Sequence, residues 1–144
     1  MSLLDKAQIE AILPHRDPFL FVDRVLELVP GEYAIAEKDI LPTDDVFRGH
    51  FPGRPVFPGV LQLEALAQTG AIAALSSPEY KGKLVLFGRA DQVRFRRAVV
   101  PGDTLRLEAR LLQRRGPVGK GEGKAYVGDE LACSALLTFA ITDP

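Results

Sequence analysis

Two side chains in this sequence stand where they could move protons. His50 lies in Gly49-His50-Phe51-Pro52-Gly53-Arg54-Pro55-Val56-Phe57-Pro58-Gly59-Val60, whose prolines and glycines read as a shaped loop rather than a helix or strand. Proline restricts such a loop and holds a side chain in place at low entropic cost. Glu64 follows within Val60-Leu61-Gln62-Leu63-Glu64-Ala65-Leu66-Ala67. An ionised carboxylate in that apolar company is expensive to bury without partners, and a carboxyl in such surroundings suits a general acid. Gln68 falls one turn later on the same helical face and is placed to orient Glu64. Gln62 falls nearly opposite and is left out of the site.

The same stretch offers a third element. No Ser, Thr, Asp or Asn caps the helix that begins at Pro58, so the first-turn N–H groups of Gly59, Val60 and Leu61 lack an obvious side-chain acceptor. Gly59 also permits close approach of a ligand to the backbone. Uncapped donors at the positive end of a helix suit an enolate-like thioester oxygen. A base, an acid and an oxyanion donor are what removal of an α-proton with loss of a β-hydroxyl requires.

These groups need elements to hold them. Pro58 to Leu75 reads as one long helix, with proline in the first turn. Ala7 to Leu13 reads as a short helix ended by Pro14. Val22–Val29 and Tyr33–Ile40 read as strands joined at Pro30-Gly31. Further strands are expected at Leu84–Phe95, Thr104–Gln113, Lys124–Val127 and Leu131–Ile141, with turns at Pro101-Gly102-Asp103 and Val127-Gly128-Asp129-Glu130. Gly116 to Gly123 reads as a Gly-rich connection. The pattern fits an α+β domain over residues 1–144, an antiparallel sheet of about six strands wrapped around one helix. That helix is apolar nearly all round, so it must be covered on most sides, which a curved sheet plus a second subunit could do.

Composition narrows the function classes. The chain has 144 residues, 47% of them hydrophobic, and a formal net charge of −1, which argues against a nucleic-acid partner. Met1 to Lys6 shows no basic stretch leading into an apolar run, so no signal peptide is expected. Val60 to Leu75 contains Gln62, Glu64, Gln68 and Thr69 and reads as a buried helix, not a membrane span. The single cysteine excludes an internal disulfide, and a cytoplasmic location is expected. His15 and His50 lie far apart without ligand spacing, so no metal is expected, and no cofactor motif is present. Gly116 to Lys124 lacks the phosphate-loop order. Cys133 reads as a buried strand thiol, and His15 as a structural turn residue.

Three motifs, in order along nearly the whole chain, resemble the hotdog-fold 3-hydroxyacyl-(acyl-carrier-protein) dehydratases of type II fatty-acid synthesis. They are Leu13-Pro14-His15-Arg16-Asp17-Pro18-Phe19-Leu20-Phe21-Val22-Asp23-Arg24-Val25, Gly49 to Gln68, and Arg94-Phe95-Arg96-Arg97-Ala98-Val99-Val100-Pro101-Gly102-Asp103. The resemblance implies dehydration of a (3R)-3-hydroxyacyl chain on acyl carrier protein to the trans-2-enoyl form. His50 and Glu64 are then the catalytic pair, and glutamate at 64 resembles the dehydratase-only branch. It also implies a homodimer, often a trimer of dimers, with each site shared across the dimer interface. Arg94, Arg96 and Arg97 would form a docking patch for the acidic carrier. Asp17 and Phe57 stand where that family commonly has tyrosine and methionine, and Thr43-Asp44-Asp45-Val46-Phe47 also departs from its pattern; these bear on the acyl tunnel more than on the chemistry. A hotdog acyl thioesterase and a non-catalytic acyl-binding module are the competing readings. The His-Phe-Pro-Gly loop counts against the first, and the joint presence of His50 and Glu64 against the second.

Overall fold

A computed structural model describes residues 2–144; Met1, part of the stretch read for a signal sequence, lies outside the described residues. Helix α2 spans Gly59–Leu75, and its sequence is rich in alanine and leucine, the strongest helix formers. Gln62, Ala65 to Thr69 and Ala71 to Leu75 are all buried. Its small side chains let the sheet come close. Pro58 was expected in the first turn but serves as the N-cap, with extended backbone. Its carbonyl takes the first helical bonds, from the N–H groups of Leu61 at 3.0 Å and Gln62 at 3.1 Å.

The sheet wraps this helix. Strands β1 (Arg24–Val29), β2 (Tyr33–Asp39), β3 (Leu84–Phe95), β4 (Thr104–Arg115), β5 (Val118–Val127) and β6 (Glu130–Thr142) form one sheet in the order β1-β2-β4-β5-β6-β3. Every neighbouring pair is antiparallel. The core between sheet and helix includes Val25, Ile40, Leu66, Ile72, Leu105 and Leu107, each almost fully buried. Helix α1 (Lys6–Ile12) closes one end through Ile9 and is opened by a capping box between Asp5 and Gln8. A sheet wrapped around a central helix is the hotdog arrangement.

The Gly-rich connection expected over Gly116 to Gly123 is instead strand from Val118 onward, with the turn confined to Gly116-Pro117. The glycines are there for room. A Cβ on Gly119 would lie 2.6 Å from the Phe139 ring, and one on Gly123 would lie 3.1 Å from Leu66 Cβ on the helix. Large neighbours occupy the space that side chains on β5 would need. The expected strands otherwise gain or lose a residue or two at their ends, where ladder pairing extends past the apolar pattern. Within the segment Thr43 to Phe47, a 3-10 turn runs from Asp45 to Arg48 and leads into the histidine loop.

β3 is an edge strand, paired to β6 on one side. It exposes Leu86 at 58%, Phe87 at 39% and Phe95 at 52%, beside Val60 at 67% on the first turn of α2. A long apolar edge of this kind is an unfinished surface.

Candidate active site

The histidine loop is held by its own backbone. Val56 N–H donates to the carbonyl of His50 at 3.0 Å, Phe51 and Arg54 exchange bonds at 3.0 and 2.9 Å, and Phe57 N–H reaches Val99 O at 2.8 Å. The His50 ring stacks on Phe51 with centroids 3.9 Å apart. Its Nδ1 lies 2.8 Å from Val56 O. A carbonyl oxygen only accepts, so Nδ1 donates, and in the neutral ring it is Nε2 that keeps the lone pair. The loop thus fixes both the tautomer and the direction of the ring. That is the arrangement of a positioned base.

Glu64 projects from the second turn of α2, half-buried. Gln68 donates from Nε2 to Glu64 Oε2 at 2.9 Å and to Phe19 O at 3.0 Å, while its Oε1 accepts from Phe21 N–H at 2.8 Å. Every polar atom of this buried amide is committed. Gln68 thus clamps the carboxyl and ties Phe19 to Phe21 onto the helix. His15, read from the sequence as a turn residue, brings Nε2 to 3.6 Å from Glu64 Oε2. Nothing in the linear spacing announces this approach, because the chain first has to fold residues 13–21 across the helix.

A model of the FabA-like domain matches residues 13–136 of the chain. The chain belongs to this family. Among curated proteins it is 58% identical to the 3-hydroxyacyl-(acyl-carrier-protein) dehydratase FabZ of Chloroflexus aggregans, with 99% of each chain covered. It is 56% identical to the enzyme of that name from Moorella thermoacetica, with 96% of each covered. Among solved structures, the dehydratase heterocomplex ApeI:P from Xenorhabdus doucetiae has a similar fold, with a TM-score of 0.78 at 18% identity over 94% of this chain and 90% of that one.

Within this FabA-like domain the start of α2 meets the histidine loop. A cleft of about 560 Å3 is lined by His50, Pro58, Gly59, Val60, Gln62 and Arg96, among others. Leu61 N–H, expected to be free, is taken by Pro58 O. Gly59 and Val60 N–H have no backbone acceptor among the described residues. Gly59 sits tightly here, since a Cβ would lie 2.8 Å from the Phe95 ring. Gln62, left out of the site on the sequence, borders this cleft; it is buried, and its Oε1 has no partner among the described residues. Its angle to Glu64 hides this place, because the cleft belongs to His50.

The chain does not bring His50 and Glu64 into contact. The lining of the histidine cleft includes Gln62, about 200° round the helix from Glu64, and does not include Glu64. The arginines divide as well. β3 ends at Phe95, so Arg96 follows the strand rather than sharing its face with Arg94. Arg96 and Arg97 line the cleft, and Arg94 does not. Arg97 is held by Asp103 at 3.4 Å and Glu130 at 3.3 Å. Residues Asp17, Thr43 to Val46 and Phe57, where the sequence departs from the dehydratase pattern, all border a second cavity of about 450 Å3. Burial pushes the Cys133 thiol up to about 11, which leaves it a poor nucleophile. Among the described residues, no helix is long and apolar enough to cross a membrane.

Proposed function

We propose that this chain is a 3-hydroxyacyl-(acyl-carrier-protein) dehydratase, which forms the trans-2-enoyl thioester in fatty-acid elongation with His50 as base and Glu64 as acid. His50 Nε2 takes the α-proton. The electrons of that C–H bond form the Cα–Cβ double bond as the Cβ–O bond breaks. Glu64 gives its proton to the departing hydroxyl, which leaves as water. Charge that builds on the thioester oxygen meets the N–H groups of Gly59 and Val60 at the helix start.

One observation carries the base assignment: the 2.8 Å bond between His50 Nδ1 and Val56 O, which in the neutral ring puts the lone pair on Nε2. The Gln68 clamp supports the acid, because it holds Glu64 by one oxygen only. The relatives named as dehydratases support the substrate class, a hydroxyacyl chain on acyl carrier protein. Arg96, exposed at the rim of the cleft, is the cation best placed to meet an acidic carrier. Two copies of the chain complete the site, His50 of one facing Glu64 of the other, as a dimer or a trimer of dimers. The exposed apolar edge of β3 and the separate surroundings of the two groups favour that assembly. A lone buried thiol is in keeping with a cytoplasmic location.

The test is turnover of a 3-hydroxyacyl carrier-protein substrate, read as enoyl thioester formed. His50→Ala and Glu64→Gln are each expected to lower kcat by roughly 10²- to 10⁴-fold with an unchanged fold. Near-parental dehydration by either folded variant refutes the assignment. Release of the free acid in place of the enoyl thioester refutes the reaction class.

A further inference from the structure

The mechanism above leaves one titratable group at Glu64 unused. His15 Nε2 lies 3.6 Å from Glu64 Oε2, and both side chains are about a quarter exposed, at 26% and 27%. The other ring nitrogen, Nδ1, is buried and has no hydrogen-bond partner among the described residues. The ring is therefore served on one side only, and that side faces the acid.

Its backbone is not free to drift. Arg16 Nη1 donates to Leu13 O at 2.9 Å and to His15 O at 2.7 Å, which closes a turn around the histidine. A few residues on, Phe19 O and Phe21 N–H are both bound by Gln68, the residue that also binds Glu64. One helical amide thus anchors the segment that delivers His15 and the carboxyl that His15 approaches.

The tautomer follows from what the other nitrogen faces. Nδ1 goes unpartnered in either neutral form, but only a proton on Nε2 presents a donor to the acceptor nearby, Glu64 Oε2. The proton on Nε2 leaves Nδ1 a bare lone pair and turns the N–H toward Glu64. Two donors then converge on Oε2, Gln68 in hydrogen-bonding range and His15 just beyond it. Glu64 Oε1 receives no hydrogen bond from the described residues. We infer that His15 is a positioning residue for the dehydration: together with Gln68 it holds Glu64 by Oε2, so that Oε1 is the oxygen that carries the acid proton to the leaving hydroxyl. This rests on Glu64 being the acid.

The experiment is a cycle of substitutions in the full-length protein, with kcat and KM measured separately. His15→Phe keeps the bulk of the ring and removes the N–H. It is expected to lower kcat by roughly 10- to 100-fold, by analogy with outer-shell partners that orient metal ligands, with little change in KM. His15→Gln returns an N–H near the place of Nε2 and is expected to recover most of kcat. In a Glu64→Gln background, His15→Phe is expected to add almost nothing, because the group it positions is already lost. Thermal unfolding of each variant reports its fold. An equal loss from His15→Phe in both backgrounds, a loss confined to KM, or no recovery with His15→Gln overturns the positioning role. Should His15→Phe fail to fold, His15→Leu, which also lacks the N–H, takes its place in the cycle with Glu64→Gln and is read by the same rule. If Glu64→Gln alone retains parental activity, the failure lies with the acid assignment instead.

Discussion

Subunit mixing asks the sharpest question of this site. Within one chain Glu64 is gripped by Gln68 beside His15, while His50 faces a cleft that Glu64 does not line. If two chains supply one site, a protein inactive for lack of His50 and another inactive for lack of Glu64 should rescue each other. Equal amounts of His50→Ala and Glu64→Ala protein, exchanged at random through a two-fold interface, give about half mixed dimers. Each mixed dimer has one site with both lesions and one with neither. The mixture should therefore reach about a quarter of parental activity, from parents that are each reduced roughly 10²-fold or more. Enoyl thioester formation reads the rescue, and native mass spectrometry of differently tagged chains counts the mixed dimers. Mixed dimers present in the expected share, with activity no higher than either parent, refute the two-chain site. Rescue well above a quarter would also be wrong, since it would require doubly damaged sites to work.

Three further outcomes follow from particular contacts. Arg96→Glu should slow turnover of carrier-borne substrate at low salt far more than turnover of a small uncharged thioester, and the difference should shrink as salt screens the charge. Gly119→Ala sets a Cβ 2.6 Å from the buried Phe139 ring; urea denaturation should show a loss of about 1–3 kcal/mol, the usual size for overpacking, and a loss near zero would mean that the ring yields. The Arg24 guanidinium bonds to Asp39 and holds its carboxyl below the usual range. A lowered folded-state value means that Asp39 adds stability above the ordinary carboxylate pKa, near 4, and that this is lost as pH falls toward the folded value. Asp39→Asn should thus lower the melting temperature at neutral pH and flatten its fall on acidification; parallel acid curves would count against the pair.

Much of this was legible in the order of residue types. The bounds of β3 match the strand expected at Leu84–Phe95, and the one-turn spacing of Glu64 and Gln68 became a hydrogen bond, because helical geometry is local. Other parts depend on what the fold brings together. His15 reached Glu64 only through a segment folded over α2, a contact between residues 49 apart in sequence. Gln62 lay outside any face that Glu64 could define, so its place beside His50 needed the loop geometry. The first half of β5 looked like a linker because glycine carries no side-chain pattern. The cause of those glycines sits on β6 and α2, in Phe139 and Leu66.

That dependence makes positions 119 and 139 holders of a common volume. The space is finite, and the ring on β6 already occupies what a methyl on β5 would need. A lineage drifting from this sequence should keep glycine at 119 for as long as it keeps an aromatic ring at 139, and should acquire a side chain at 119 only in the company of a smaller residue opposite. The same trade joins position 123 to position 66. Substitution histories at these two pairs would be correlated through packing alone, and variant libraries that randomise β5 alone would return almost only the parental glycines.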